Sequence, residues 1–273
     1  MKICPQLSAS SENRFQVSFG KTPCVMYALT LVAPAHATGE VELAMDCPSG
    51  AASGALTYAE SWEGDLDEWP EGTSVAQNTL PSAWSDNNVL TGLRLAADDT
   101  DLYLGVDGKA YGDGGMNAVV VYIDTDLGAG TGLTVTSTLT DVDHPVDDAL
   151  GGALQFTAPG FGAEVALATL DMSDYTPGGG DDGSPAGWRK LSPPDDLPWL
   201  LEGAVHAGPN SLEARIPLAD LFGPPTGEER NLGFIVRIAD ATGEYLADQA
   251  LPEGVSGDSN EVAPAAAGFK MTY

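Results

Sequence analysis

Basic side chains are scarce in this chain. Lys and Arg number 11 against 40 Asp and Glu in 273 residues, a formal net charge of -29 at pH 7. A phosphate backbone has to be met by Lys and Arg, so the balance argues against nucleic acid as a partner, and against anionic membrane surfaces for the same reason. Histidine is nearly missing, with three residues, and neither His144 nor His206 lies in a nucleophile motif. No G-x-S-x-G, H-E-x-x-H, P-loop or dinucleotide fingerprint occurs, so the common catalytic frameworks find no foothold. Paired carboxylates are abundant, but abundance alone makes any one pair uninformative. No apolar run is long enough to cross a bilayer as a helix. Long amphipathic helical periodicity is also absent, which steers the fold away from bundles and from βαβ architectures.

The three cysteines add a further constraint. Cys4 and Cys24 fall in a segment that reads as an export leader: Arg14 and Lys21 supply positive charge, and Cys24 to Ala35 is a short apolar run. Ala35-His36-Ala37 then gives an A-x-A cleavage pattern, so residues 1–37 are expected to be a signal peptide. Its removal leaves Cys47 alone, without an internal disulfide partner, so stability must come from packing or from ions. Asp46 precedes Cys47 where lipid attachment wants a small residue. Residues 38–55 are rich in Ala, Gly and Ser without periodicity and read as a flexible linker. The expected location is secreted, extracellular or periplasmic.

What the rest of the chain contains is short strands and turn clusters. Val89 to Ala97 alternates apolar and polar residues, Asp98-Asp99-Thr100-Asp101 is turn chemistry, and Leu102 to Asp107 alternates again: a hairpin. Ala118 to Ile123 is an apolar, β-branched run that reads as a strand buried on both faces, the third of three consecutive neighbours. Gly162 to Leu170 alternates. Met172 to Pro198 reads as one long Gly-, Pro- and Asp-rich loop, and loops of that length are uncommon without a function. Ser211 to Pro217, Leu232 to Asp240, Glu244 to Asp248 and Phe269 to Tyr273 supply further strands. Trp69 is expected to plug the end of a core, because indole buries a large area. About nine short strands between turns indicate an all-β fold, an antiparallel two-sheet sandwich of jelly-roll type with long acidic Gly/Pro loops, over residues 56–273.

Four segments in order carry a resemblance. They are Gly64-Asp65-Leu66-Asp67-Glu68-Trp69-Pro70, then Asp101 to Val106, then Asn117 to Asp126 ending in Ile-Asp-Thr-Asp, and last Ser211 to Leu221. Together they resemble the DOMON-like β-sandwiches that include the family 9 carbohydrate-binding modules, over roughly Ser61 to Tyr273. The resemblance implies a non-catalytic module of the kind attached to secreted glycan-active enzymes, in some cases calcium-stabilised. No enzyme domain accompanies it in this chain.

Two sets of residues carry candidate chemistry. Asp124 and Asp126 stand on a glycine-rich loop at the end of the apolar strand. Calcium takes six to eight oxygens, which alternate carboxylates and freed carbonyls can supply. Asp141 and Asp143 are the expected additions to that metal site, and Ca2+ is the expected ion. The EF-hand pattern is absent, since no Glu closes the loop; two solvated turn aspartates are the alternative. The second set is aromatic: Trp188, Tyr175 and Trp199 lie in or beside the long loop. A flat ring face can stack on a pyranose, so a polysaccharide or oligosaccharide is the expected partner. The alternative is that these rings pin the loop onto the sandwich, leaving a structural or cell-surface interaction domain without a sugar site.

Overall fold

The computed structural model describes residues 66–67, 69–70, 72–111, 117–140, 146–170, 186–191, 199–200, 204–207, 210–253 and 262–273, together with four short strands before residue 50. Those four form two antiparallel pairs, β1 (Ser8–Ala9) with β2 (Phe15–Gln16) and β3 (Val25–Ala28) with β4 (Leu43–Asp46). They belong to a unit of their own, Met1–Gly50; Ala51–Tyr273 is the second unit.

The second unit runs β5 (Ser74–Gln77), β6 (Asn88–Ala97), β7 (Asp101–Ala110), β8 (Asn117–Asp124), helix α1 (Asp147–Leu150), β9 (Gln155–Phe156), β10 (Val165–Leu170) and β11 (Ala186–Lys190). It continues with β12 (Trp199–Leu200), β13 (Ala204–Ala207), β14 (Ser211–Pro217), helix α2 (Leu218–Phe222), β15 (Glu229–Asp240), β16 (Leu246–Leu251), β17 (Val262–Ala263) and β18 (Ala267–Thr272). One sheet has five strands in the order β13-β14-β7-β6-β5. The other has seven, β12-β11-β10-β8-β15-β16, with β18 also paired to β15. Every pairing in these two sheets is antiparallel. The expected all-β, two-sheet sandwich is what the chain forms.

Strand β8 explains the arrangement. Its residues are apolar at both parities, and a strand presents successive side chains to opposite faces. Val119, Val121 and Ile123 join Leu95, Leu104, Val106, Phe234 and Val236 in the core between the sheets. Ala118, Val120 and Tyr122 point the other way, into a second core covered by Val146, Leu150, Leu154, Phe156 and Phe161. The ring of Tyr122 meets Phe156 edge-on at 4.9 Å, and Phe156 meets Phe161 at 5.1 Å. Burial on both faces puts β8 at the centre of the larger sheet, between β10 and β15. The expected third neighbour of the β6–β7 hairpin therefore crosses to the opposite sheet, a correction with a clear cause: a strand apolar on both faces needs cover on both.

Two buried arginines fasten the outer layer to that sheet. Arg189 on β11 pairs with Asp147 of α1, and its guanidinium also donates to the Thr140 carbonyl at 2.5 Å. Arg237 on β15 donates to the carbonyls of Ala247 (2.9 Å) and Val262 (3.2 Å). Burial pulls the Arg237 pKa down to about 10, so it stays cationic at neutral pH. Trp69 is buried as expected, but on the outward face of the five-stranded sheet. There it lies with Leu66, Ala96 and Tyr103, and its indole N–H donates to the buried Glu213 at 2.8 Å. Gly105 makes room: a Cβ there would sit 2.9 Å from Leu66 and 3.1 Å from Trp69.

The β6–β7 turn is organised by Asp98. Its Oδ1 accepts from the N–H groups of Thr100 and Asp101, each at 2.8 Å, and its Oδ2 accepts from the Tyr103 hydroxyl at 2.8 Å. Partial burial pushes this carboxyl up, but the bonds from Thr100, Asp101 and Tyr103 outweigh it and hold its pKa below the ordinary 3.8. A carboxyl lowered on folding stabilises the folded state above its ordinary value, and the contribution fades as pH falls through the lowered one. Asp98→Asn is therefore expected to cost about 1 kcal/mol at neutral pH. Urea titrations at several pH values should also show a shallower loss of stability on the acid side than in the wild type.

Candidate cation site at the end of strand β8

Strand β8 delivers Asp124 to the edge of the core and then breaks. Asp124 is fully buried, and each of its oxygens accepts a backbone N–H: Oδ1 from Asp126 at 2.8 Å and Oδ2 from Gly162 at 2.9 Å. The antiparallel pairing of Val165 with Ile123 sets the start of β10 beside the end of β8. Glu164, one residue earlier, therefore reaches the same place. Its Oε2 accepts from the Thr125 N–H at 2.9 Å. Asp124, Asp126 and Glu164 are the one group of three among the described residues whose ligand atoms lie within 4.8 Å of one another.

Two glycines permit the loops to close on each other. Gly132 has φ +79°, and a Cβ on it would fall 2.4 Å from a Glu164 carboxylate oxygen. A Cβ on Gly162 would overlap the Thr131 carbonyl at 1.7 Å. The loop is tied down further by the Leu127 N–H to the Asn231 carbonyl (2.8 Å), the Asn231 amide to the Leu127 carbonyl (2.9 Å), and the Gly128 N–H to the Gly160 carbonyl (3.0 Å). The result is a tied-down frame holding three carboxylates, one buried, one half-buried and one exposed.

The electrostatics of this frame are costly as it stands. Burial pushes the Asp124 carboxyl above its ordinary range; the N–H groups of Gly162 and Asp126 oppose the rise, and the Asp126 charge adds to it. Burial likewise raises Glu164, opposed by Thr125 and Thr131 and reinforced by the charges of Asp124 and Asp126. The Thr131 hydroxyl oxygen lies 2.8 Å from Asp126 Oδ1 and 2.8 Å from Glu164 Oε1. A hydroxyl has one proton to donate, so it satisfies one of these oxygens at a time. The donor set is entirely oxygen, the chemistry that suits hard cations and disfavours zinc or copper.

Of the expected metal ligands, the structure brings together Asp124 and Asp126; Asp141 and Asp143 lie outside the described residues. Glu164 was not anticipated from sequence. Its signal was present, since Glu164 is the polar residue opening the alternating GAEVALATL stretch, but only the β8–β10 pairing shows whose end it adjoins.

The aromatic expectation needs a correction. Trp188 does not lie in an open loop: it is on β11, opposite Leu167, fully buried in the core between the sheets. A ring enclosed there has no face to offer a sugar. The apolar inward position on a paired strand outweighed the Gly- and Pro-rich surroundings that suggested exposure. Tyr175 lies outside the described residues, as does the side chain of Trp199, whose backbone forms β12 with Arg189 as partner.

Replacing Trp188 by Ala is expected to lower the unfolding free energy by about 3–5 kcal/mol, the usual cost of emptying a large buried aromatic site. Equilibrium urea unfolding reads it directly; a loss under about 1 kcal/mol would contradict a core role. Neither a protein-family model nor a curated protein matches this chain.

Proposed function

We propose that this protein is an exported, non-catalytic recognition module, a β-sandwich whose loops at one end are fixed by a hard divalent cation of the calcium class. The observation that carries the reading is the gathering of Asp124, Asp126 and Glu164 on two loops that close glycine against backbone. These carboxylates suit a structural ion better than acid–base chemistry. Both oxygens of Asp124 and one of Glu164 are engaged by backbone N–H groups, which fix them in place and favour their charged form. The three carboxylates, with the Thr131 hydroxyl beside them, would hold the ion. Its positive charge would offset the mutual repulsion that burial magnifies.

The test is thermal unfolding of the full chain in EDTA and in calcium, with magnesium as a second arm. At a free calcium concentration about 100 times the Kd, stabilisation reaches about 2.7 kcal/mol, which raises the Tm of a domain of this size by several degrees. Asp124→Asn should abolish most of that rise. A midpoint indifferent to chelator and to both ions overturns the reading.

A further inference from the structure

Strand β16 lies at an edge of the larger sheet, and its pairing is irregular. Arg237 on β15 stands opposite Ala250, and Ala239 opposite Leu246, so Ala247, Asp248 and Gln249 together face Ile238 alone. The Arg237 guanidinium holds this bulge by donating to the Ala247 carbonyl at 2.9 Å. A bulge re-aims the side chains it carries. Here Asp248 and Gln249 reach across to the other sheet, where they meet the segment joining β5 to β6.

That segment, residues 79–85, is tied down at three points. The Thr79 N–H and hydroxyl donate to Glu253 Oε2 at 3.1 and 3.2 Å. The Leu80 carbonyl accepts from the Gln249 amide at 3.4 Å. The Ala83 N–H lies 2.9 and 3.2 Å from the two Asp248 oxygens. Gln249 itself is fully buried, and its Oε1 accepts from the Asn78 amide and the Leu90 N–H, each at 3.2 Å. Behind these ties Trp84 is half-buried against the core between the sheets, while Leu80 and Ala83 stay exposed. The segment is thus a strap: its ends belong to the smaller sheet, and its middle is fastened to the larger one. It closes under strain. Ser85, with φ +136°, is the one non-glycine residue with a positive φ among the described residues, and side chains disfavour that region. Segments held by exposed hydrogen bonds over few apolar contacts open locally, without global unfolding.

We propose that residues 79–85 are a hinged strap that opens as one unit at Ser85, lifting Trp84 off the core and uncovering the bulged edge of β16. Closed, the strap shields a sheet edge whose backbone is otherwise open to pairing. Open, it gives access to the core between the sheets from that side. The test is native-state hydrogen exchange of the full chain, read by NMR at single amides over a series of low urea concentrations. The Thr79 and Ala83 amides should be protected at least tenfold less than that of Val121 in β8, with little dependence on urea. In the Asp248→Ala/Glu253→Ala variant their protection should fall about tenfold further, while Val121 keeps its own. Ser85→Gly relieves the hinge and should raise their protection about threefold or more. Strap amides that share the protection and the urea dependence of Val121 overturn the proposal. So does a double variant that leaves them unchanged, or one that lowers Val121 equally. Protection that falls in Ser85→Gly overturns the hinge at Ser85.

Discussion

A strand with no polar face has no place at a surface. Val119, Val121 and Ile123 need one apolar cover, and Ala118, Val120 and Tyr122 need another. Each larger side chain removed from water contributes about 1.5–3 kcal/mol, so leaving either face open forfeits several of them at once. The five-stranded sheet supplies the first cover. The second is built from the 146–163 segment, held by the buried Arg189–Asp147 pair and the Tyr122–Phe156–Phe161 ring contacts. The acidic group inherits its place from this one strand, which Asp124 terminates.

What was legible in the sequence was local. The β6–β7 hairpin could be read because period-two alternation and the Asp98 turn sit within twenty residues, and the two-sided burial of β8 followed from its unbroken apolar run. Pairing between distant strands was not legible. Trp188 looked like a loop residue because Gly, Ser and Pro surround it; its position is decided by Leu167, which lies opposite it across β10 and β11. Glu164 escaped for the same reason, since its relation to Asp124 exists only once β10 is laid beside β8. Two of the three carboxylates were therefore visible as Asp-Thr-Asp, and the third, supplied by tertiary pairing, was not.

Glycine placement shows how closely the acidic site depends on backbone rather than side chains. The Thr131 carbonyl occupies the space a side chain at residue 162 would take, and Glu164 occupies that of residue 132. The two loops therefore act as one rigid piece, with carboxylates aimed by amide N–H groups. Preorganisation of this kind would reduce the entropy lost on capture of the proposed ion.

The buried arginines have a wider effect. Arg189 and Arg237 are sealed inside, so two of only 11 basic residues are withdrawn from the surface of a chain that carries 40 acidic ones. Asp124, Asp147 and Glu213 are buried as well, so the charge that solvent meets stays close to the formal -29. Repulsion within such a shell opposes compactness and reaches about 8 Å at 0.15 M salt, shrinking to about 3 Å at 1 M. Ionic strength thereby becomes a variable of folding for this protein. Dissolved counterions do outside the sandwich what its scarce cations are too few to do there.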